Sequence, residues 1–229
     1  MAGRPTIAID PDGLSIIVVV AGPSTQNASV RLDARSGTEL RDFHGQGRGQ
    51  GRDRTQKNND TPFGVYKPTP NDWHGGNGNG TQGGVSGQAA RNDNSRFGTG
   101  IVYMTPVSGE VVNNNRTDIY IHGGPSLEDN QQLANNGCVR LANQDINTLI
   151  LDVNNLSDNC NDPLSNIFIG DAATLNAFAD EQNQDGSYKY PELRNSGFGS
   201  NNTQLNSGSD DQPQNANEEL NEDGKLKGD

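Results

Sequence analysis

The chain of 229 residues carries a formal net charge of -12, with 30% hydrophobic and 5% aromatic residues. That length holds one domain of ordinary size plus an appendage, and the low apolar content means that part of it adds nothing to a core. The charge excludes nonspecific nucleic-acid binding, which needs an electropositive footprint.

The opening stretch "TIAIDPDGLSIIVVVAG" reads as two short strands about a Pro-Asp-Gly turn. Its apolar run, residues 14–21, is well short of the ~20 residues of a membrane span. As the core of a signal peptide it has Asp10 and Asp12 where positive charge belongs, so no clear export signal is read. In "SVRLDARSGTEL", Val30, Leu32 and Ala34 alternate with polar residues before a Ser-Gly turn, the pattern of a half-buried strand. A basic stretch, "RDFHGQGRGQGRDRTQK" (41–57), reads as a solvated loop; the sharper alternative is a rim that attracts a carboxylate-bearing substrate.

Further strands are expected at Gly64–Lys67, Gly100–Thr105, Gly109–Val112, Asp118–His122 and Asn166–Ile169. Each is short, β-branched or aromatic, and bounded by turn residues. Between them, 71–98 is a long Gly/Asn-rich insertion. In "NQDINTLILDV", Ile146, Leu149, Ile150 and Val153 recur at i, i+3, i+4 and i+7, which predicts a helix with Asn143 as N-cap. A second helix is expected over 171–182. The acidity concentrates at the end, with twelve Asp/Glu against four Lys/Arg from Asp171 to Asp229. The expected organisation is a mainly β domain over 1–180, with one or two short helices, and an acidic, disordered tail over 181–229.

Three histidines and two cysteines bound the chemistry. His44 and His74 lie in Gly-rich surroundings typical of solvated side chains. His122 ends the strand "TDIYIH" and is followed by two glycines, which allow close approach to the backbone. Cys138 follows Gly137 and precedes the predicted helix; the N–H groups of such a turn can converge on an oxyanion. A nearby imidazolium would favour its thiolate. Arg140 either holds the turn or meets a substrate carboxylate. The alternative is a Cys138–Cys160 disulfide in an oxidising compartment. One His and two distant cysteines lack the spacing of a zinc site.

Three segments, in this order, resemble the L,D-transpeptidase catalytic domain family, the YkuD-like enzymes of peptidoglycan. They are "DTPFGVY" (60–66), "IYIHGG" (119–124) and "NNGCVRL" (135–141), followed by the helix "NQDINTLI" and a closing strand "NIFIG". The resemblance runs from about residue 28 to 170. It implies a β-sandwich or barrel with Cys138 as nucleophile, His122 as base and the Gly123 carbonyl orienting the imidazole. It further implies an oxyanion hole from the N–H groups of Gly137 and Cys138. Arg140, Asn135, Asn136 and Tyr120 would form the substrate pocket. The implied partner is a peptidoglycan stem peptide, attacked before its terminal D-Ala, in the periplasm or cell wall and without metal or organic cofactor. An amine would resolve the thioester as a 3-3 cross-link, and water as carboxypeptidase action. Asn135 stands where the family usually has Ser or Thr, and Asn136 where it often has His or Arg. Two alternatives stay open: a secreted antibacterial effector trimming a rival's wall, and a non-catalytic wall-binding module.

Overall fold

The longest apolar run of the sequence becomes strand β1 (Ile16–Ala21). It pairs antiparallel with β2 (Ala28–Asp33) and parallel with β9 (Asn166–Gly170). The run is continuous rather than alternating because both faces are buried: Ile17 and Val19 join one apolar cluster, Ile16 and Val18 another. A computed structural model describes residues 14–22, 28–47, 49, 51–69, 85–86, 98–124 and 137–200. The strand expected before the Pro-Asp-Gly turn lies outside them, as does most of the 71–98 insertion.

The other strands are β3 (Glu39–Gln46), β4 (Gly64–Pro68), β5 (Val85–Ser86), β6 (Ile101–Gly109), β7 (Tyr120–His122) and β8 (Val139–Leu141). Their order is β4-β9-β1-β2-β3-β8-β7-β6-β5, and β4 also pairs with β6. That extra pairing closes eight strands into a barrel and leaves β5 on its edge, removing the open edges of a flat sheet. Among the described residues the one parallel pairing besides β1–β9 is β7–β8, the pair that carries the expected site.

The long helix, α2 (Asn143–Cys160), buries Ile146, Leu149, Ile150 and Val153, the four residues whose spacing predicts it. They pack into the cluster that fills the barrel, with Val30, Leu32, Ile121, Val139 and Ile167. Asn143 is not its N-cap. Ala142 holds that position, and the Asn143 side chain instead accepts a hydrogen bond from the Thr99 N–H at 3.0 Å. A bond across the fold has displaced the local cap.

Two further expectations give way. Gly109–Val112 is not a separate strand: β6 runs to Gly109, whose φ of 93° turns the chain into the short helix α1 (Glu110–Asn113). The Val111 N–H then donates to the Phe63 carbonyl at 3.2 Å and its side chain enters the core. The ordered chain also continues past residue 180. Helix α3 (Ala172–Asp180) is capped by Asp171, whose carboxylate accepts from the Thr174 N–H at 2.8 Å. Helix α4 (Pro191–Asn195) and its flanks follow, burying Tyr190, Leu193 and Phe198 against Ile16, Val18, Val65 and Phe168. Arg31 fastens this segment, donating to the Ser196 carbonyl at 2.6 Å with its guanidinium over the Phe198 ring. A disordered tail beginning at 181 is therefore wrong for residues up to 200; residues 201–229 lie outside the described ones.

Candidate active site

Strands β7 and β8 run side by side in parallel, with Ile121 opposite Val139 and His122 opposite Arg140. Ile121 and Val139 enter the barrel core. Side chains alternate along a strand, so Tyr120 and His122 project from the other face, as Arg140 does and Cys138 two residues before it. His122, Cys138 and Arg140 are each buried, with 3%, 5% and 4% of their surface exposed. The parallel pairing thus gathers four of the residues singled out from the sequence on one face. Asn135 and Asn136 lie outside the described residues.

The His122 ring is held by its own chain: Nδ1 lies 2.5 Å from the Gly123 carbonyl oxygen. A carbonyl can only accept, so Nδ1 carries the proton and Nε2 is the basic nitrogen. The Gly123 N–H donates to the Gly100 carbonyl at 3.0 Å, which fixes the turn. A Cβ on Gly123 would press on Asn143 and Ile146 of α2, and one on Gly124 would run into the Arg140 guanidinium. Arg140 therefore lies packed against the His-Gly-Gly turn. The turn it packs against is thus that of His122 rather than the cysteine turn expected from the sequence, and burial lowers its affinity for its proton.

The cysteine turn is held from three sides. Gly137 has φ 96°, a left-handed conformation that a Cβ would make costly, and a side chain there would strike Arg116 and the Asn59 carbonyl. Thr61 of "DTPFGVY" places its hydroxyl 3.1 Å from the Cys138 carbonyl and 3.0 Å from that of Gly47. The Cys138 thiol lies 3.6 Å from the Asp118 carbonyl, and Asp118 itself has φ 59°, which is strained for a residue with a Cβ. Tyr66 ends the same motif, its buried hydroxyl donating to the Pro62 carbonyl at 2.8 Å. Burial raises the Tyr66 phenol well above its usual range. Tyr120 is raised too, first by burial and then by the Asp118 carboxylate, whose oxygen is 3.2 Å from its hydroxyl. Both phenols are neutral.

Thr61, Asp118 and Arg116 were not singled out from the sequence. Thr61 sits inside a segment already noted, so its motif offered a signal. The other two act through backbone carbonyls or a backbone angle and carry no side-chain pattern.

The disulfide alternative fails. Cys138 and Cys160 are free thiols, one buried and one exposed. They stand at opposite ends of the 18-residue helix α2, which spans roughly 27 Å. The basic stretch 41–57 is also partly neutralised within the fold. Arg41 pairs with Asp152 at 2.7 Å, while Arg54 meets Glu110 through two bonds of 2.8 and 3.0 Å and stacks on Phe63. Those two cations are not free to form a substrate-attracting rim. His44 is exposed on β3, and His74 lies outside the described residues. Two open surface grooves, of about 300 and 320 Å³, run along α2 and include none of the site residues.

The model of the L,D-transpeptidase catalytic domain family (YkuD) matches residues 20–155. No curated protein matches the chain significantly. Among solved structures, Bd1075 of Bdellovibrio bacteriovorus is similar at 17% identity and a TM-score of 0.43, over 71% of this chain and 50% of that one. The chain therefore spans half the length of that relative.

Proposed function

The chain belongs to the L,D-transpeptidase catalytic domain family, and from that premise we propose that it is a cysteine acyltransferase acting on peptidoglycan stem peptides. The observation that carries the reading is the pairing of β7 with β8. It sets a tautomer-fixed imidazole and a buried thiol on one face of adjacent strands.

In this reading His122 Nε2 takes the Cys138 proton, and the thiolate attacks the carbonyl of the L-centre of diaminopimelate. The N–H groups of Gly137 and Cys138 bind the oxyanion that forms, in a turn whose geometry the left-handed glycine sets. Collapse of the tetrahedral intermediate breaks the amide bond. His122 returns the proton to the departing D-Ala nitrogen, leaving a thioester on Cys138. The amine of a second stem resolves it as a 3-3 cross-link, or water resolves it as a free carboxylate. Arg140 keeps the His-Gly-Gly turn in place throughout, and Tyr120, on the same face as His122, lines the approach of the stem. The place of action is the periplasm or cell wall, where that substrate is found.

The test is D-Ala release from a purified tetrapeptide muropeptide, comparing the native chain with Cys138→Ala. Release that depends on Cys138 supports the proposal, and chromatography of the products separates transfer from hydrolysis. A folded native chain that releases no D-Ala would favour a wall-binding module instead.

A further inference from the structure

We infer that Arg116 is a positioning residue of the Cys138 site, a fixed cation that favours the thiolate form of the sulfur. The inference rests on the reading of Cys138 as nucleophile for its purpose, but not for its measurement.

Only 6% of Arg116 is exposed. Its Nη1 donates to the Arg54 and Gln56 carbonyls at 2.6 and 2.5 Å. Its Nη2 is buried with no hydrogen-bond partner among the described residues, and it lies where a Cβ on Gly137 would be. One half of the guanidinium is thus anchored, and the other is laid against the residue that precedes the nucleophile. Among the described residues no carboxylate forms an ion pair with it, although burying a charge without a counter-charge is costly. The anion that this placement fits is the sulfur.

The loop that anchors Arg116 is itself held. The Arg54 side chain is gripped by Glu110, which also accepts the Phe63 N–H at 3.1 Å. Between Asn59 and Thr61 stands one buried carboxylate, Asp60, which accepts the Gly49 N–H at 2.9 Å; the other groups around the sulfur do not oppose the effect. Tyr66 and Tyr120 are neutral phenols. His122 and Arg140 share the sulfur's face and carry no negative charge. The Asp118 carboxylate is turned outward onto the Tyr120 and Thr117 hydroxyls. Asp53, whose charge also acts on Arg116, is an exposed residue bonded to Thr55.

The experiment titrates the thiolate by its ultraviolet absorbance in Cys160→Ser protein, which retains Cys138 as its one thiol, with the Cys138→Ala/Cys160→Ser protein as blank. Arg116→Gln and Arg116→Lys are titrated in the same background, and each protein is melted to confirm its fold. The expected midpoint of the parent lies below the ordinary thiol value of about 8.5. Arg116→Gln moves it upward, so the thiolate fraction at neutral pH falls roughly tenfold or more, and Arg116→Lys restores most of it. A parent midpoint at or above the ordinary value overturns the inference, whether or not the Gln variant folds. So does a folded Gln variant with an unchanged midpoint. No muropeptide is used, so a low midpoint in a chain that releases no D-Ala upholds Arg116 and removes the transpeptidase reading.

Discussion

Two outer faces of the barrel wall, over β1 and β9 and around β7 and β8, are held by different forces. Over β1 and β9, α3, α4 and the segment to Phe198 form an apolar layer: Ile16, Val18, Phe168, Leu175, Leu193 and Phe198 are all buried, with the Phe168 and Tyr190 rings edge to face at 5.3 Å. Around the ends of β7 and β8 the buried groups are polar, and most of their ties run to backbone carbonyls: His122 to Gly123, Thr61 to Cys138, Cys138 to Asp118, Arg116 to Arg54 and Gln56. The first arrangement is cohesive and tolerant. The second fixes directions, and it accepts backbone strain at Asp118 and requires a glycine at 137 to do so. Substitutions should therefore separate into those that cost stability and those that cost chemistry.

The largest effect is expected at the polar corner. His122→Ala removes the proposed base and should lower turnover of muropeptide by roughly 10² to 10⁴-fold, while the melting temperature stays close to that of the native chain. Steady-state kinetics beside a thermal melt checks both. An equal loss of turnover and of folding would erase the contrast.

Next comes the apolar layer. Phe168→Ala empties a fully buried site at the centre of that cluster and should destabilise the protein by about 3–5 kcal/mol in denaturant unfolding. The fraction that remains folded should keep native turnover per molecule, measured at low temperature. A change in turnover that exceeds the loss of folded protein would show that the two faces are coupled.

The smallest effect links the faces. The bonds from Arg54 hold the Glu110 carboxyl below its usual range in the folded chain. A depressed carboxylate contributes stability that is complete above its unfolded value of about 4.3 and is lost as pH falls through the folded value. With much of the pair in solvent, the contribution is about 0.5–1 kcal/mol. Glu110→Gln should then flatten the acid limb of stability against pH and leave the neutral region almost unchanged. Unfolding curves between neutral and acid pH measure it, and an unaltered acid limb would remove this link.

What was legible in the sequence follows the same division. Ile146, Leu149, Ile150 and Val153 announce their helix because one face of local periodicity meets one core. His122, Gly123, Gly137 and Cys138 stand out because glycines beside reactive side chains mark turns that a substrate can approach. The 181–200 segment reads as tail because Tyr190, Leu193 and Phe198 are sparse and have no period; their burial comes from the outer face of β1, distant in sequence. Val111 and Val112 suggested a strand, but the conformation of Gly109 ends it first. Arg116 sits in an Asn-rich turn with nothing to mark it, since its partners are carbonyls about 60 residues away.

The most direct measurement is peptide mapping of the chain after brief incubation with tetrapeptide muropeptide and acid quenching. The account predicts a muropeptide thioester on Cys138, smaller than the substrate by one D-Ala, and none on exposed Cys160. An adduct on Cys160 alone, or D-Ala release undiminished in Cys138→Ala, would contradict it.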